Sequence, residues 1–292
     1  MDSKLFFVAG ITGHVGGTAA RQLLAQGHKV RTLARDPNKA ADWAKQGVDV
    51  QQGDLNDAST LAKALTGVDG AFLLIPPSMA TSPAFPEAKA VIASFQQALK
   101  QAAPARLVAL SSFGSEQTSG VGLITATHLM EQGLAGLNAP VAFIRAGGFF
   151  DNYVPSLQQT AASGVFYSFM QPTDRPVLSV ATPDIGQQVA ELLAGPTWTG
   201  TRIIELGSPI SPDELAQGMA EALGRPVQAQ AVPREQWSSI LESFGFPAGH
   251  TGAYEEMIDA VNSGWIHHGV PGTEAVPATL TPAHFYSQAA KS

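Results

Sequence analysis

The chain has 292 residues, 45% of them apolar and 14% charged, with a formal net charge of −7 and no cysteine. That length and apolar share suit one large α/β domain, or such a domain with a smaller one attached. The missing cysteines exclude disulfides, thiolate zinc sites and cysteine nucleophiles, and the acidic balance without a basic run argues against a nucleic-acid surface. No run approaches the ~18–20 apolar residues of a membrane span. The first strand begins after four residues, leaving no room for a signal peptide, so a cytoplasmic protein is expected.

Leu5-Phe6-Phe7-Val8-Ala9 is an unbroken apolar run and reads as a buried strand. Gly10-Ile11-Thr12-Gly13-His14-Val15-Gly16-Gly17 follows. Val15, Ala19 and Leu23 then recur every four residues with Leu24 beside them, as on one helix face. Strand, glycine-rich turn and helix form the setting of a dinucleotide fingerprint, here spaced GxxGxxG. Gly10 and Gly13 are expected to take backbone angles closed to other residues and to bring the main chain up to a pyrophosphate. Gly16 lets the helix lie close on the strand. The helix start offers unpaired N–H groups and the positive end of its dipole to the phosphates.

Lys29 to Ala34 reads as a second strand, after which Asp36 caps a helix with Pro37 at its first position. Val48 to Gln52 is a third strand, and Asn56 or Asp57 caps the short helix carrying Leu61 and Leu65. Ala71 to Ile75 is a fourth, wholly apolar strand stopped by Pro76-Pro77. A helix over 88–99 turns Ala88, Val91, Ile92, Phe95, Ala98 and Leu99 to one face. Arg106 to Leu110 is a fifth strand, 123–134 a helix, and Val141 to Arg145 a sixth strand. Strands alternating with helices predict right-handed crossovers and a doubly wound, Rossmann-type parallel sheet, with its ligand at the carboxyl ends of the strands.

After Arg145 the alternation loosens. Thr182-Pro183 and Ser211-Pro212 each place a capping hydroxyl before a proline, and Glu214 completes a capping box with Ser211. Thr201 to Leu206 is expected to be a seventh strand returning to the sheet edge. The division expected is a nucleotide-binding domain over 1–150 with about 181–206, and a smaller, discontinuous α/β domain over 151–180 and 207–292.

Arg35 stands where NAD-binding versions of the fold carry an acidic residue, and a guanidinium there suits a 2′-phosphate. NADP(H) is therefore expected over NAD(H), with Lys39 able to add a second positive charge. The plainer alternative makes Arg35 a solvated surface residue. Asp54, after the third strand, can accept from the adenine amino group with Leu55 against the ring; the alternative is a turn aspartate. Ile75, Pro76 and Pro77 would run beside the ribose and nicotinamide, and would also serve as a rigid stop. Ser111 and Ser112 end the fifth strand, where a hydroxyl could touch a substrate carbonyl or simply terminate the strand. No tyrosine has a lysine four residues on, so the Tyr-x-x-x-Lys proton-donor pair is missing. Thr127 and His128 are the polar residues left on the helix facing the cofactor, as catalytic candidates or as ordinary helix residues. His267-His268 lacks further ligands at metal spacing, and no metal site is expected. Phe113, Phe149, Phe150, Tyr153 and Phe169 could form a flat apolar slot.

Gly10-x-Thr12-Gly13-x-x-Gly16, Arg35-Asp36-Pro37, Gly53-Asp54-Leu55 and Leu110-Ser111-Ser112-Phe113-Gly114, with Phe143-Ile144-Arg145-Ala146-Gly147-Gly148-Phe149-Phe150-Asp151-Asn152, resemble the NmrA-like group of atypical short-chain dehydrogenases/reductases. The likeness covers roughly residues 4–206 well. It implies that Gly10 to Val15 hold the pyrophosphate, Arg35 the 2′-phosphate, Asp54 and Leu55 the adenine, and Ile75 to Pro77 the ribose. Phe149 and Asn152 would line the substrate side. That group includes NADPH-dependent reductases, such as type 2 quinone oxidoreductases, and NADP-binding redox sensors. Its lysine or histidine on the helix before the sixth strand falls at Thr127, with His128 adjacent, so the catalytic assignment does not carry over cleanly.

The expected function is an NADPH-dependent oxidoreductase passing hydride to a quinone or other conjugated carbonyl, which tolerates the missing proton donor. Its partner is then an aromatic small molecule, with a homodimer allowed and no direct contact with nucleic acid or membrane. The alternative is a non-catalytic NADP(H) sensor read by a protein partner.

Overall fold

A computed structural model describes residues 2–137 and 139–291. The first half follows the expected alternation: β1 (Leu5–Val8), α1 (His14–Ala25), β2 (Lys29–Ala34), α2 (Ala41–Lys45), β3 (Asp49–Gln52), α3 (Ala58–Leu65), β4 (Gly70–Leu73), α4 (Pro86–Gln101), β5 (Leu107–Ser112), α5 (Thr125–Leu134) and β6 (Val141–Ala146). The second half contains β7 (Gly148–Phe149), α6 (Leu157–Ser163), β8 (Val165–Ser168), β9 (Val177–Val180), α7 (Thr182–Ala194), β10 (Thr201–Leu206), β11 (Ser208–Ile210), α8 (Pro212–Leu223), β12 (Gln228–Ala231), α9 (Trp237–Ser243), α10 (Gly252–Ser263), β13 (Glu274–Val276) and α11 (Pro282–Ala289).

Eight strands form one sheet in the order β13-β10-β6-β5-β4-β1-β2-β3, every pair parallel. The apolar run of β1 explains its central place. Side chains alternate across a strand, so Phe6 and Val8 enter one core while Phe7 and Ala9 enter the other. The first core takes Val15, Ala19 and Leu23 of α1 with Ile185, Val189 and Leu193 of α7. The second takes Leu61 and Leu65 of α3, Phe95 and Leu99 of α4, and Met130 and Leu134 of α5. Each fully buried Phe or Leu contributes about 1.5–3 kcal/mol, which holds the helices on both faces.

Three expectations fail in detail. The strand over 201–206 is not the sheet edge: Ile204, Glu205 and Leu206 pair with β13 on their outer side, so part of the segment assigned to a second domain completes the large sheet. β4 ends at Leu73, two residues before the expected end at Ile75. Thr182 does not cap α7. It lies inside the helix, and the Asp151 carboxylate caps from a distance, accepting from Thr182 N at 3.0 Å and Thr182 Oγ1 at 2.6 Å. The caps at Asp36, Asp57 and Ser211 form as expected, the last with Glu214.

Beyond β6, β11-β9-β7 and β12-β8 make two small sheets. A third core gathers Phe150, Leu157, Phe166, Leu215, Met219 and Tyr286 beside them. Thr279 N and Leu280 N donate to Asp184 of α7 at 2.9 and 3.0 Å, tying the C-terminal segment back to the large sheet.

Candidate functional site

β1 has β2 on one side and β4 on the other, so the strand order reverses there. This is the crevice where open α/β sheets take ligands. The glycine-rich turn leaves β1 into it. Gly10 has φ +64°, a left-handed angle that suits glycine, and a β-carbon there would lie 3.0 Å from Leu74 Cδ2. Gly13 does not share that need: its φ of −93° and ψ of 175° are extended and open to any residue. What space exists at Gly16 is set by backbone. A β-carbon there would lie 2.5 Å from Gly10 O and 2.6 Å from Ala9 O, so α1 sits directly on the turn. Thr12, Gly13 and His14 are exposed, whereas the side chains of Ile11 and Val15 enter the core and leave only their backbone to a ligand. Gly13 makes no side-chain cap, and no acidic residue stands in the first turn of α1. The first N–H groups of the helix therefore have no side-chain cap from within α1, and the one carboxylate at this end, Asp151, lies against the His14 ring.

The neighbouring strand ends supply side chains. Ala34 of β2 pairs with Gln52 of β3, which brings Arg35 beside Gly53 and Asp54. Arg35 is exposed and has no hydrogen bond or ion pair among the described residues. Asp36 is consumed as a cap, accepting from Asn38 N at 3.0 Å. Asp54 forms the turn suggested as its alternative: Oδ1 accepts from Asn56 N at 2.9 Å and Asn56 Nδ2 at 3.1 Å. Leu55 is half-buried against the second core. Ile75 is half-buried too, and Pro76 and Pro77 are exposed beyond the end of β4. An exposed guanidinium, an uncapped helix start and a glycine turn at one crevice fit a phosphorylated dinucleotide.

At the ends of β5 and β6 the structure departs from expectation. Ser111 is buried, and its hydroxyl donates to Glu131 at 2.5 Å rather than facing a substrate. Ser115 lies 3.1 Å from Ser111 and 2.8 Å from Thr127, whose hydroxyl donates to Ile124 O at 2.9 Å. His128 is buried, with Nδ1 2.8 Å from Ser115 O. The Thr127 hydroxyl is fully occupied, whereas His128 keeps Nε2 without a partner among the described residues. Beneath them Arg145 grips Glu131 through Nε at 2.9 Å and Nη2 at 2.7 Å, and Glu116 through Nη1 at 2.9 Å. Burial alone would push the Arg145 guanidinium down; the Glu131 bonds and the charges of Glu131, Glu116 and Glu205 outweigh it and hold it up. Sequence reasoning missed this cluster. Its signal was the spacing Thr127-x-x-x-Glu131, which falls on the turn where a Tyr-x-x-x-Lys pair was sought, and a lone arginine in the apolar sixth strand.

The five aromatic residues do not make one slot. Phe113 is buried with Val121, Ile124 and Ile266; Phe150 lies in the third core; Phe149 leans on the first; Phe169 packs against Trp237. Tyr153 is half-buried with its ring edge-on to Phe166, and Asn152 is exposed. His267 and His268 are exposed, and the described residues hold no metal-binding cluster. No helix among them is long and apolar enough to cross a membrane.

The sequence pattern of the NmrA-like family matches residues 2–268. The chain belongs to the NmrA-like family. Among characterised relatives, this NmrA-like chain is 26% identical to the NAD(P)H azoreductase of Xenophilus azovorans over 88% of its own length and 85% of the relative's. It is 26% identical to quinone oxidoreductase 2 of Escherichia coli over 83% and 82%. The fold is shared with the Citrobacter sp. triphenylmethane reductase at a TM-score of 0.79 and 24% identity, covering 99% of this chain and 100% of that one.

Proposed function

We propose that this NmrA-like chain is an NAD(P)H-dependent oxidoreductase that prefers NADPH and delivers hydride to a quinone or another conjugated aromatic acceptor. The observation that carries the cofactor choice is Arg35: exposed, unpaired, and beside the switch-point turn. In this reading the backbone of Gly10 to Val15 and the start of α1 hold the pyrophosphate. Arg35 takes the 2′-phosphate through a charge-assisted fork, Asp54 and Leu55 take the adenine, and Ile75 to Pro77 border the ribose. Phe149, Asn152 and Tyr153 border the substrate. When bound, the nicotinamide supplies a hydride, and the protein's share is to hold acceptor and donor in contact. The bonding that occupies the Ser111 and Thr127 hydroxyls supports an acceptor that needs no strong acid. The names of the two characterised relatives support the acceptor class.

The test is NADPH oxidation by the purified chain with a panel of benzoquinones, naphthoquinones and azo dyes. Turnover above background is expected. Tight NADPH binding without turnover on any of them would replace the enzyme with a sensor. Arg35→Ala is expected to weaken NADPH binding about 10–100-fold, as for loss of roughly 1.5–3 kcal/mol of charged hydrogen bonding, while NADH binding changes little. Equal losses for both nucleotides would remove Arg35 from the site.

A further inference from the structure

Two half-buried phenols belong to segments that border the switch-point crevice. Tyr153 lies in the 3-10 turn after β7, two residues past Asp151, whose carboxylate is 3.4 Å from His14 of the glycine-rich turn. Its ring is fixed edge-on to Phe166 at 4.9 Å between centroids. Tyr254 is in the first turn of α10, held edge-on by Phe246 at 5.2 Å and by Phe169 at 6.4 Å. The loop before α10 is tied to the loop leaving β4: His250 Nδ1 is 3.4 Å from Thr81 O, and Gly245 packs beside Met79. Tyr153 thus follows the loop that leaves β1, and Tyr254 the loop that leaves β4. These are the two loops of the switch point.

Neither hydroxyl has a hydrogen-bond partner among the described residues, although both side chains are half-buried. Two fully buried aromatic residues nearby have one: Tyr286 donates to Phe150 O at 3.3 Å and Trp237 Nε1 to Val232 O at 2.9 Å. Neither phenol oxygen is sealed from solvent, so a ligand acceptor can reach each one without displacing a protein partner. The phenols are near enough that Tyr254 makes Tyr153 harder to ionise.

We propose that Tyr153 and Tyr254 form a clamp that hydrogen-bonds the carbonyl oxygen of an aromatic acceptor, a quinone, in the substrate crevice. The clamp rests on the oxidoreductase reading and supplies the group that reading lacks. As hydride adds to the acceptor, the displaced electron pair moves onto this oxygen. The two O–H groups donate to the resulting oxyanion, which takes its proton from water, and the bound dinucleotide is left oxidised. Burial pushes both phenols above the ordinary tyrosine range. They therefore keep their protons and act as hydrogen-bond donors, in the manner of an oxyanion hole.

The test separates binding from turnover. With NADP+ present, so that no reduction occurs, tetramethyl-1,4-benzoquinone is titrated into the full chain and its carbonyl stretch is followed by infrared difference spectroscopy. In the wild type we expect saturable binding and a stretch shifted to lower frequency. Tyr153→Phe and Tyr254→Phe keep the ring packing, and each should weaken quinone binding about tenfold, the loss of one net hydrogen bond of roughly 1–1.5 kcal/mol. The double variant should lose the shift, while NADP+ affinity holds in all of them. Tyr286→Phe, whose hydroxyl is already satisfied, should bind quinone like the wild type. A wild type that does not bind or shift the quinone, or a double variant with wild-type affinity and shift, would overturn the clamp. Quinone bound and shifted without turnover would support the clamp and sink the oxidoreductase reading alone.

Discussion

His14 Nδ1, at the mouth of the glycine-rich turn, lies 3.4 Å from Oδ1 of Asp151, which also accepts from Thr182 Oγ1 and, through Oδ2, from Thr182 N. One carboxylate therefore joins the turn after β1, the segment after β7 and the start of α7. Replacing Asp151 with Ala removes a cap, at about 1–2 kcal/mol, and unties the turn. Thermal unfolding should fall by a few degrees and NADPH binding should weaken together. Asp151→Asn keeps an acceptor at the cap and should lose less of both.

Gly16 has no room for a side chain, because the atoms in the way are backbone oxygens of the turn itself. Gly16→Ala should destabilise by about 1–3 kcal/mol, as overpacking does, and should weaken dinucleotide binding by moving the start of α1. Gly252→Ala, with open space around it at the start of α10, is the comparison. Its denaturant midpoint should match or exceed the wild type's. If Gly16→Ala unfolds and binds like the wild type, the close approach of helix and turn is not what positions the nucleotide site.

Glu131 balances Arg145 where both are buried. Glu131→Ala leaves Arg145 bonded to Glu116 alone, with Glu205 acting only through its charge, and should cost about 3–5 kcal/mol. Thr127→Val removes the bonds to Ser115 and to Ile124 O and should cost about 1–2 kcal/mol. Its kcat should stay within about tenfold of the wild type, well short of the 10²–10⁴ that general acid–base catalysis contributes. A hundredfold loss of kcat with stability retained would return Thr127 to the chemistry.

Acid should act through Glu255. Burial pushes its carboxyl up, but the bonds from Ser238, Thr251 and Arg234 outweigh burial and hold it below the usual glutamate range. A depressed carboxyl stabilises the fold fully above its unfolded value of about 4.3, and that stability drains away as pH falls through the lower, folded value. Urea midpoints measured from neutral pH downward should drop more steeply below about pH 4 in the wild type than in Glu255→Gln. Parallel curves would show that the Arg234 pairing contributes nothing.

Much of the large sheet was legible because its signals are local. The run Leu5 to Ala9 alternates its side chains into two cores whatever surrounds it, and Asp57 and Ser211 cap helices from three residues away or less. Arg35 and Asp36 could be told apart for the same reason: a cap is a neighbour's bond, and Asp36 makes it. The misreadings share the opposite property. Thr182 looked like a cap, but its partner Asp151 is distant in sequence. The seventh strand looked like an edge until 274–276 came back to cover it. Ser111 and Thr127 looked available until folding brought Ser115 and Glu131 to their hydroxyls.

The glycine turn, the charge at the end of the second strand and the absence of a Tyr-x-x-x-Lys pair were set by the sequence alone, since each depends on residue type and short spacing. Which hydroxyls remain free was decided only by tertiary structure. A hydroxyl is consumed or left open by whatever the fold brings within about 3 Å of it, and for Ser111 and Tyr254 those neighbours come from other elements.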